Sequence, residues 1–479
     1  MSRIIRMNKY LNLYQKTIKL FFLILFSSID GQPIPNEFFK NKSQKLSYDI
    51  GQDWESLSCF GPIRFQSLSS KDREIDDSLY IQANTGVYIS KYGMALYGIG
   101  YMQYNKYFFG YIYPRVVNNS NVLEHFSGRP ILDSNDGFNS WEVDLSGVGF
   151  QNNWITLQMC RGREDWGAGN EIQLALSENS NSYDYFMLAS NYGNIRVNYI
   201  HGFLESIEGG YNRYITARGL EWTNKKSVLI GFSEIVVYSG LNRPLDIGYL
   251  NPISSHLEIE LNNRLNNPIV ENMPSNANGV WQISLDWLVK EKIRISGNLL
   301  YDEFVLDPEI EISKEHGKAY SLETSYSLSK SKDNIITISG SYIYVGTPTF
   351  RHNMGTNNFV QRGSPLGWKY GSDGRELKCA INYFNRKTLL ISMTAGILQT
   401  GEESIMLRSY DRYLDYNKGT FPSGDIKESI YLCSSVDWKW GDEISFSFKG
   451  EYIIDENIGK NELRLSLGAN TYYLSQKIY

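Results

Sequence analysis

Between Arg161 and Asn251 the chain concentrates guanidinium, aromatic and amide side chains of the kinds that serve noncovalent binding. Arg161, Arg163 and Arg243 offer guanidinium forks that match the carboxylates of acidic sugars. Trp166, Tyr238 and Tyr249 offer flat aromatic faces for pyranose rings, and Asn251 offers a planar amide that can bridge adjacent hydroxyls. Several of these have a structural alternative. Arg163, with Arg218, Glu221 and Glu234, can instead brace a wide polar interior as Arg–Glu pairs. Trp166, with Gly167 and Gly169 beside it, can form a tight turn that plugs such an interior. Tyr249 and Asn251 suit either role.

Reaction chemistry finds little support. The five histidines (His125, His201, His256, His316 and His352) have neither metal-ligand spacing nor a motif tying one to a nucleophile. There is no G-x-S-x-G elbow. Adjacent carboxylates such as Asp302 and Glu303 point to opposite faces of a strand, so they cannot flank one bond. The four cysteines (Cys59, Cys160, Cys379 and Cys433) are far apart and form no metal cluster. In strand-like surroundings Cys160, Cys379 and Cys433 behave as small hydrophobes; disulfides in an oxidising compartment are the other option. The expectation is a non-enzyme without metal or cofactor.

These residues must be positioned by something other than helices. The 479 residues include 35 Tyr and 41 Gly but only 13 Pro, a composition suited to strands, tight turns and membrane-interface girdles. Net charge is −5 with no basic stripe, which argues against a nucleic-acid partner. Residues 1–30 read as an export signal: Arg3, Arg6, Lys9, Lys16 and Lys19 precede the short apolar run Leu20 to Phe26. No later stretch is long and apolar enough for a transmembrane helix.

The second half alternates strictly. Trp281, Ile283, Leu285 and Trp287 interleave with Gln282, Ser284 and Asp286, and Ile293, Ile295, Leu299 and Tyr301 with Arg294, Ser296 and Asn298. Ile444, Phe446, Phe448 and Tyr452 continue the pattern, and Leu463, Leu465 and Leu467 oppose Arg464, Ser466 and Asn470. Such runs, roughly 10 to 12 residues long, match tilted strands crossing a bilayer. Short polar turns such as Asn385 to Lys387 alternate with long connections such as Tyr238 to Gly279, Val345 to Gly374 and Gln399 to Glu428. That asymmetry predicts an all-β, transmembrane antiparallel barrel of the outer-membrane type. Counting from Leu79 gives about eighteen strands over 79–479. Residues 31–78 show little helical periodicity and are expected to be a short periplasmic segment or a first strand.

An ordered set of motifs resembles the Wzi capsule-assembly family. Gly162, Arg163, Trp166, Gly167 and Gly169 are followed by Leu176, Ser177 and Asn179, with Ala168 and Glu178 where relatives carry proline and aspartate. Arg218, Leu220 and Glu221 follow, then Ser233 and Glu234, then Tyr249, Asn251 and Pro252. Arg362, Gly363, Pro365, Leu366 and Gly367 fit a later loop pattern, with Asp373 nearby. The resemblance covers roughly Trp141 to Gly374. It implies an outer-membrane barrel of a Gram-negative-type bacterium that binds and retains or organises capsular or surface polysaccharide without catalysis. Its partners would be the polysaccharide, outer-membrane lipid and an export machinery. A porin or solute channel is the leading alternative, and a structural barrel that docks envelope proteins a third.

Overall fold

The computed structural model describes residues 36–62 and 79–478, apart from 106, 124, 130–136, 262–276, 304–314, 332–333, 412–418, 442–443 and 456–459. The expected leader, 1–30, lies outside the described residues.

Eighteen antiparallel strands close into one barrel. The first six are β1 (Leu79–Ser90), β2 (Gly93–Tyr104), β3 (Phe108–Val117), β4 (Ser140–Gln151), β5 (Ile155–Gly162) and β6 (Tyr183–Tyr192). Next come β7 (Ile195–Ile207), β8 (Tyr211–Thr223), β9 (Val228–Leu241), β10 (Ala277–Lys290), β11 (Ile293–Glu303) and β12 (Gly317–Lys330). The last six are β13 (Ile335–Val345), β14 (Gly374–Phe384), β15 (Leu389–Thr400), β16 (Lys427–Trp440), β17 (Ile444–Asp455) and β18 (Lys460–Ile478). Each strand pairs with its neighbour in sequence, and β1 meets β18 from Leu79↔Ile478 to Ile89↔Leu467. Closure leaves no free edge, so the backbone groups are satisfied within the sheet, as hydrocarbon demands.

Alternation sorts the side chains. Val148, Met159, Leu220, Phe232, Ile283, Leu322 and Ile381 all stand at least 50% exposed on the outer face, forming an apolar belt. The intervening residues, such as Gln282, Ser284, Asp286 and Arg294, point inward and are buried. Short turns gather at one mouth and long connections at the other, the arrangement in which outer-membrane barrels face periplasm and exterior respectively.

The stretch 31–78 contributes no barrel strand among its described residues. It carries α1 (Asn36–Asp49) and the short antiparallel pairing of Phe60–Pro62 with Glu164–Trp166. Helical periodicity is faint there: among the described side chains of α1, Leu46 is the one apolar residue that is buried. Leu46 and Ile50 pack on Ile335, Phe384 and Leu390 at the short-turn mouth, and Asp49 meets Arg294 at 2.9 Å inside it. The largest buried apolar cluster lies in the lumen, where Trp166, Ile172, Leu174 and Leu176 pack with Phe359, Leu366 and Trp368.

Candidate functional site

The connection between β5 and β6, residues 163–182, turns inward and crosses the lumen. Its backbone is held by side chains of the far wall: Asn298 Oδ1 accepts from Ala168 N (2.7 Å), Glu323 Oε2 from Asn170 N (2.7 Å), and Ser321 Oγ donates to Ile172 O (2.7 Å). Glu171 then reaches Lys378 on β14 at 3.2 Å. In a ring of eighteen, β5 and β14 are nine strands apart, so the segment spans the full diameter. The connection between β13 and β14 folds back onto it. Trp368 N donates to Leu174 O (3.0 Å) and Ser177 N to Leu366 O (2.9 Å). Gly367 is required at this crossing, since a Cβ there would sit 1.8 Å from Leu174 O. From β8, the fully buried Arg213 donates to the carbonyls of Thr356, Asn358 and Val360 at 2.6 to 2.7 Å.

Trp166, expected as a sugar platform or a plug turn, lies in this plug. Its indole is fully buried, 4.8 Å from the Phe60 ring, and its N–H donates to Glu164 at 2.7 Å. Arg163 is also buried and pairs with Asp144, which Arg115 shares at 3.1 Å. Arg161, two residues earlier, is at the exterior instead. It shares a face with exposed Met159, donates to Val143 O and pairs with Asp184 at 3.0 Å. Glu171 is held down to about 2 by Lys378, whereas burial pushes the Asp165 carboxyl up, with Lys45 3.9 Å away opposing it.

The second group of expected site residues lies on the outside of the barrel. In β9 the parity of exposed Ile230 and Phe232 continues through Glu234, Val236 and Tyr238, so all five face outward. Residues 242–261 double back over them. Tyr238 stacks between Tyr214 (5.1 Å) and Tyr249 (4.5 Å), with the Arg243 guanidinium 4.6 Å from its ring. Arg243 is itself buried and pairs with Asp246 at 3.0 Å. Tyr238 OH meets His201 Nε2, and Tyr249 OH meets His256 Nδ1, both at 2.9 Å. Asn251 is exposed and turned on its own loop, with Ser254 and Ile253 as partners. Thus Tyr238, Arg243 and Tyr249 converge, but as a closed stack with no open face for a sugar ring. The sequence offered these side chains to a sugar in or beside long loops; in the structure they face one another.

The residues expected to brace the lumen divide in the same way. Glu221 faces inward, accepting from Arg196 Nη1 (3.0 Å) and Cys59 N (2.7 Å), and so ties the N-terminal segment to the wall. Arg218 and Glu234 form a 3.5 Å pair on the outward face, where Glu234 also accepts from His256 N (3.0 Å) and Trp281 Nε1 (3.1 Å). Braces they are by geometry, but of the outer wall.

A basic cavity of about 570 Å³ opens at the long-connection mouth. Arg362, Lys369, Lys449 and Arg464 line it, with Glu451 the one carboxylate among the described lining residues and Tyr92, His125 and Phe126 as rings at its edge. Arg362 stands at the tip of the hairpin formed by Val360–Gln361 and Ser364–Pro365, and its Nη1 donates to Ser127 Oγ at 3.1 Å. Arg464 is partly neutralised by Glu462 (2.9 Å) and Glu451 (3.7 Å). Reading the sequence singled out Arg362 for its loop pattern and missed Lys369 and Lys449. The usable signal was parity: Lys449 and Arg464 sit opposite Phe448 and Leu463, on inward positions of adjacent strands. Among the described residues no group of His, Cys, Asp and Glu is placed to hold a metal ion, and all four cysteines are free thiols.

No protein-family model matches the chain, and no curated protein matches it in sequence. Solved structures do match in fold. Wzi, an outer-membrane protein involved in group 1 capsule assembly in Escherichia coli and a carbohydrate-binding β-barrel, is similar at 12% identity and TM-score 0.57, over 92% of this chain and 89% of that one. OprD of Pseudomonas aeruginosa is similar at 8% identity and TM-score 0.43, over 84% of this chain and 95% of that one. OccAB1 of Acinetobacter baumannii gives 9% and 0.44, over 84% and 96%. The closed eighteen-stranded architecture, its apolar belt and the likeness to Wzi make the chain an outer-membrane barrel of the Gram-negative type.

Proposed function

We propose that this barrel binds an acidic surface polysaccharide at its long-connection mouth and retains or organises it there, as a member of the Wzi capsule-assembly family. The observation that carries the reading is the basic, aromatic-edged cavity formed by Arg362, Lys369, Lys449 and Arg464. Guanidinium and ammonium groups match sugar carboxylates, and the rings supply faces for the pyranose carbons. The likeness in fold to Wzi, itself a carbohydrate-binding barrel involved in capsule assembly, supports the same reading. Each sugar contact would be weak, so affinity would come from many repeats engaging many barrels. An export complex is a natural further partner, testable by pull-down from solubilised envelopes.

The test is the ratio of cell-bound to released polysaccharide in a deletion strain complemented with the natural chain or with the Arg362→Gln, Lys449→Gln double variant. Retention should fall several-fold in the deletion and in the double variant. An unchanged ratio in the deletion strain would sink the proposal. A second reading, an anion-preferring channel, is favoured by the same basic mouth, although Gln282 and Asn298 of the lumen wall are engaged by the plug. Steady conductance in planar bilayers from the natural chain would favour it.

A further inference from the structure

The connection after β9 does not extend away from the barrel. At Asn242, with φ 49, the chain reverses, and Arg243 N donates to Gly240 O at 3.2 Å. The chain then descends the outer wall until His256 N reaches Glu234, seven residues below the strand's end and so about 20 Å along it. On the way Tyr249 O accepts from Tyr199 on β7 (2.9 Å), and Ile259 packs with Val236 and Ala277. On β10, Gly279 permits the approach, since a Cβ there would lie 2.5 Å from His256 Cδ2.

The two faces of this segment differ in kind. The inner face covers Arg218 and Glu234, charges that would otherwise stand toward acyl chains at substantial cost. The outer face presents Leu245, Ile247, Leu250, Ile253 and Leu257, with Ile247 69% and Ile253 89% exposed. Below it on the same strands lie Leu220, Trp222, Ile230, Phe232, Ile283 and Leu285, which belong to the belt already assigned to lipid. The apolar surface therefore runs from the belt onto the segment.

We propose that residues 242–261 form a flap inserted in the outer leaflet, with Ile247, Ile253 and Leu257 among the acyl chains and the Arg218–Glu234 pair sealed beneath. The flap replaces wall residues as the lipid contact over β7 to β10. This region would thus face lipid rather than polysaccharide, whichever ligand the mouth binds.

The full chain carrying Cys379→Ser, Cys433→Ser and Ile253→Cys would be labelled with an environment-sensitive fluorophore in phosphatidylcholine vesicles. Cys59 and Cys160 are buried and stay unlabelled. The same background with Asn121→Cys, an exposed position of the mouth, gives the aqueous reference, and Phe232→Cys gives the belt reference. Emission from position 253 should be blue-shifted and quenched by nitroxide-bearing lipids like position 232, several-fold more than position 121. Quenching by aqueous iodide instead would overturn the proposal. So would protection from both quenchers, which would mean that protein covers the flap. Leu257→Cys replaces Ile253→Cys if that variant fails to fold.

Discussion

The segments 163–182 and 242–261 leave the same wall four strands apart and fold in opposite directions, one into the lumen and one down the outside. Both bury an aromatic ring completely, Trp166 in the first and Tyr249 in the second. They satisfy their backbones differently. Inside, polar side chains of the far wall serve the plug directly, as Asn298, Ser321 and Glu323 do for residues 168–172. Outside, the flap adds helical turns of its own, with Leu250 N donating to Asp246 O and Ile259 N to Ser255 O, to wall partners such as Glu234 for His256 N, Tyr199 for Tyr249 O and Tyr214 for Arg243 O. A segment facing hydrocarbon must find every partner within itself or in the wall beneath it, since lipid offers none.

Substitutions should therefore separate the two regions. The largest effect is expected from Trp166→Ala, which removes a fully buried indole and its hydrogen bond to Glu164, at about 3–5 kcal/mol. Conductance in planar bilayers should rise, while proteolysis within 242–261 stays unchanged. If the flap loosens equally, the two regions are one cooperative unit and the contrast fails.

Glu234→Ala should act in reverse. It leaves the Arg218 guanidinium facing outward without its counter-charge and frees His256 N and Trp281 Nε1, at about 3 kcal/mol. Limited proteolysis should then cut the flap while lumen conductance stays at its natural level.

The smallest effect concerns Glu171, whose side chain is 67% exposed. Lys378 holds its pKa at about 2, below the ordinary carboxylate value of about 4.3. The stabilisation is present above that ordinary value and is lost as pH falls toward about 2. Amide exchange in 168–174 should accelerate in that range relative to Glu171→Gln, which lacks the titration. Identical profiles would show that the contact to β14 adds nothing to the plug.

Much of the barrel was legible from the sequence because a two-residue period leaves a trace in every strand. Strands such as Trp281 to Val289 and Ile293 to Tyr301 stand where their alternation places them, and β1 opens at Leu79. The side of the wall was legible too, had parity been carried to the strand ends. Tyr238 shares the parity of Phe232 and Arg161 that of Met159, which sets both outside. The course of the connections was not legible. Whether 163–182 enters the lumen depends on Asn298, Ser321 and Glu323, more than a hundred residues away in the chain. The cavity was missed for the same reason, since it joins β17 and β18 to a hairpin near Arg362.

The span from β5 to β14 also has a mechanical meaning. A hoop of eighteen strands can flatten under lateral pressure from the bilayer, because its hydrogen bonds resist stretching far better than they resist bending. A packed strut across its diameter, anchored at Gly162 on one side and at Asn298, Glu323 and Lys378 on the other, opposes that ovalisation. The mouth above is then carried on a cross-section of nearly fixed shape, so the spacing of Arg362, Lys449 and Arg464 is set by the strut as much as by the strands that bear them.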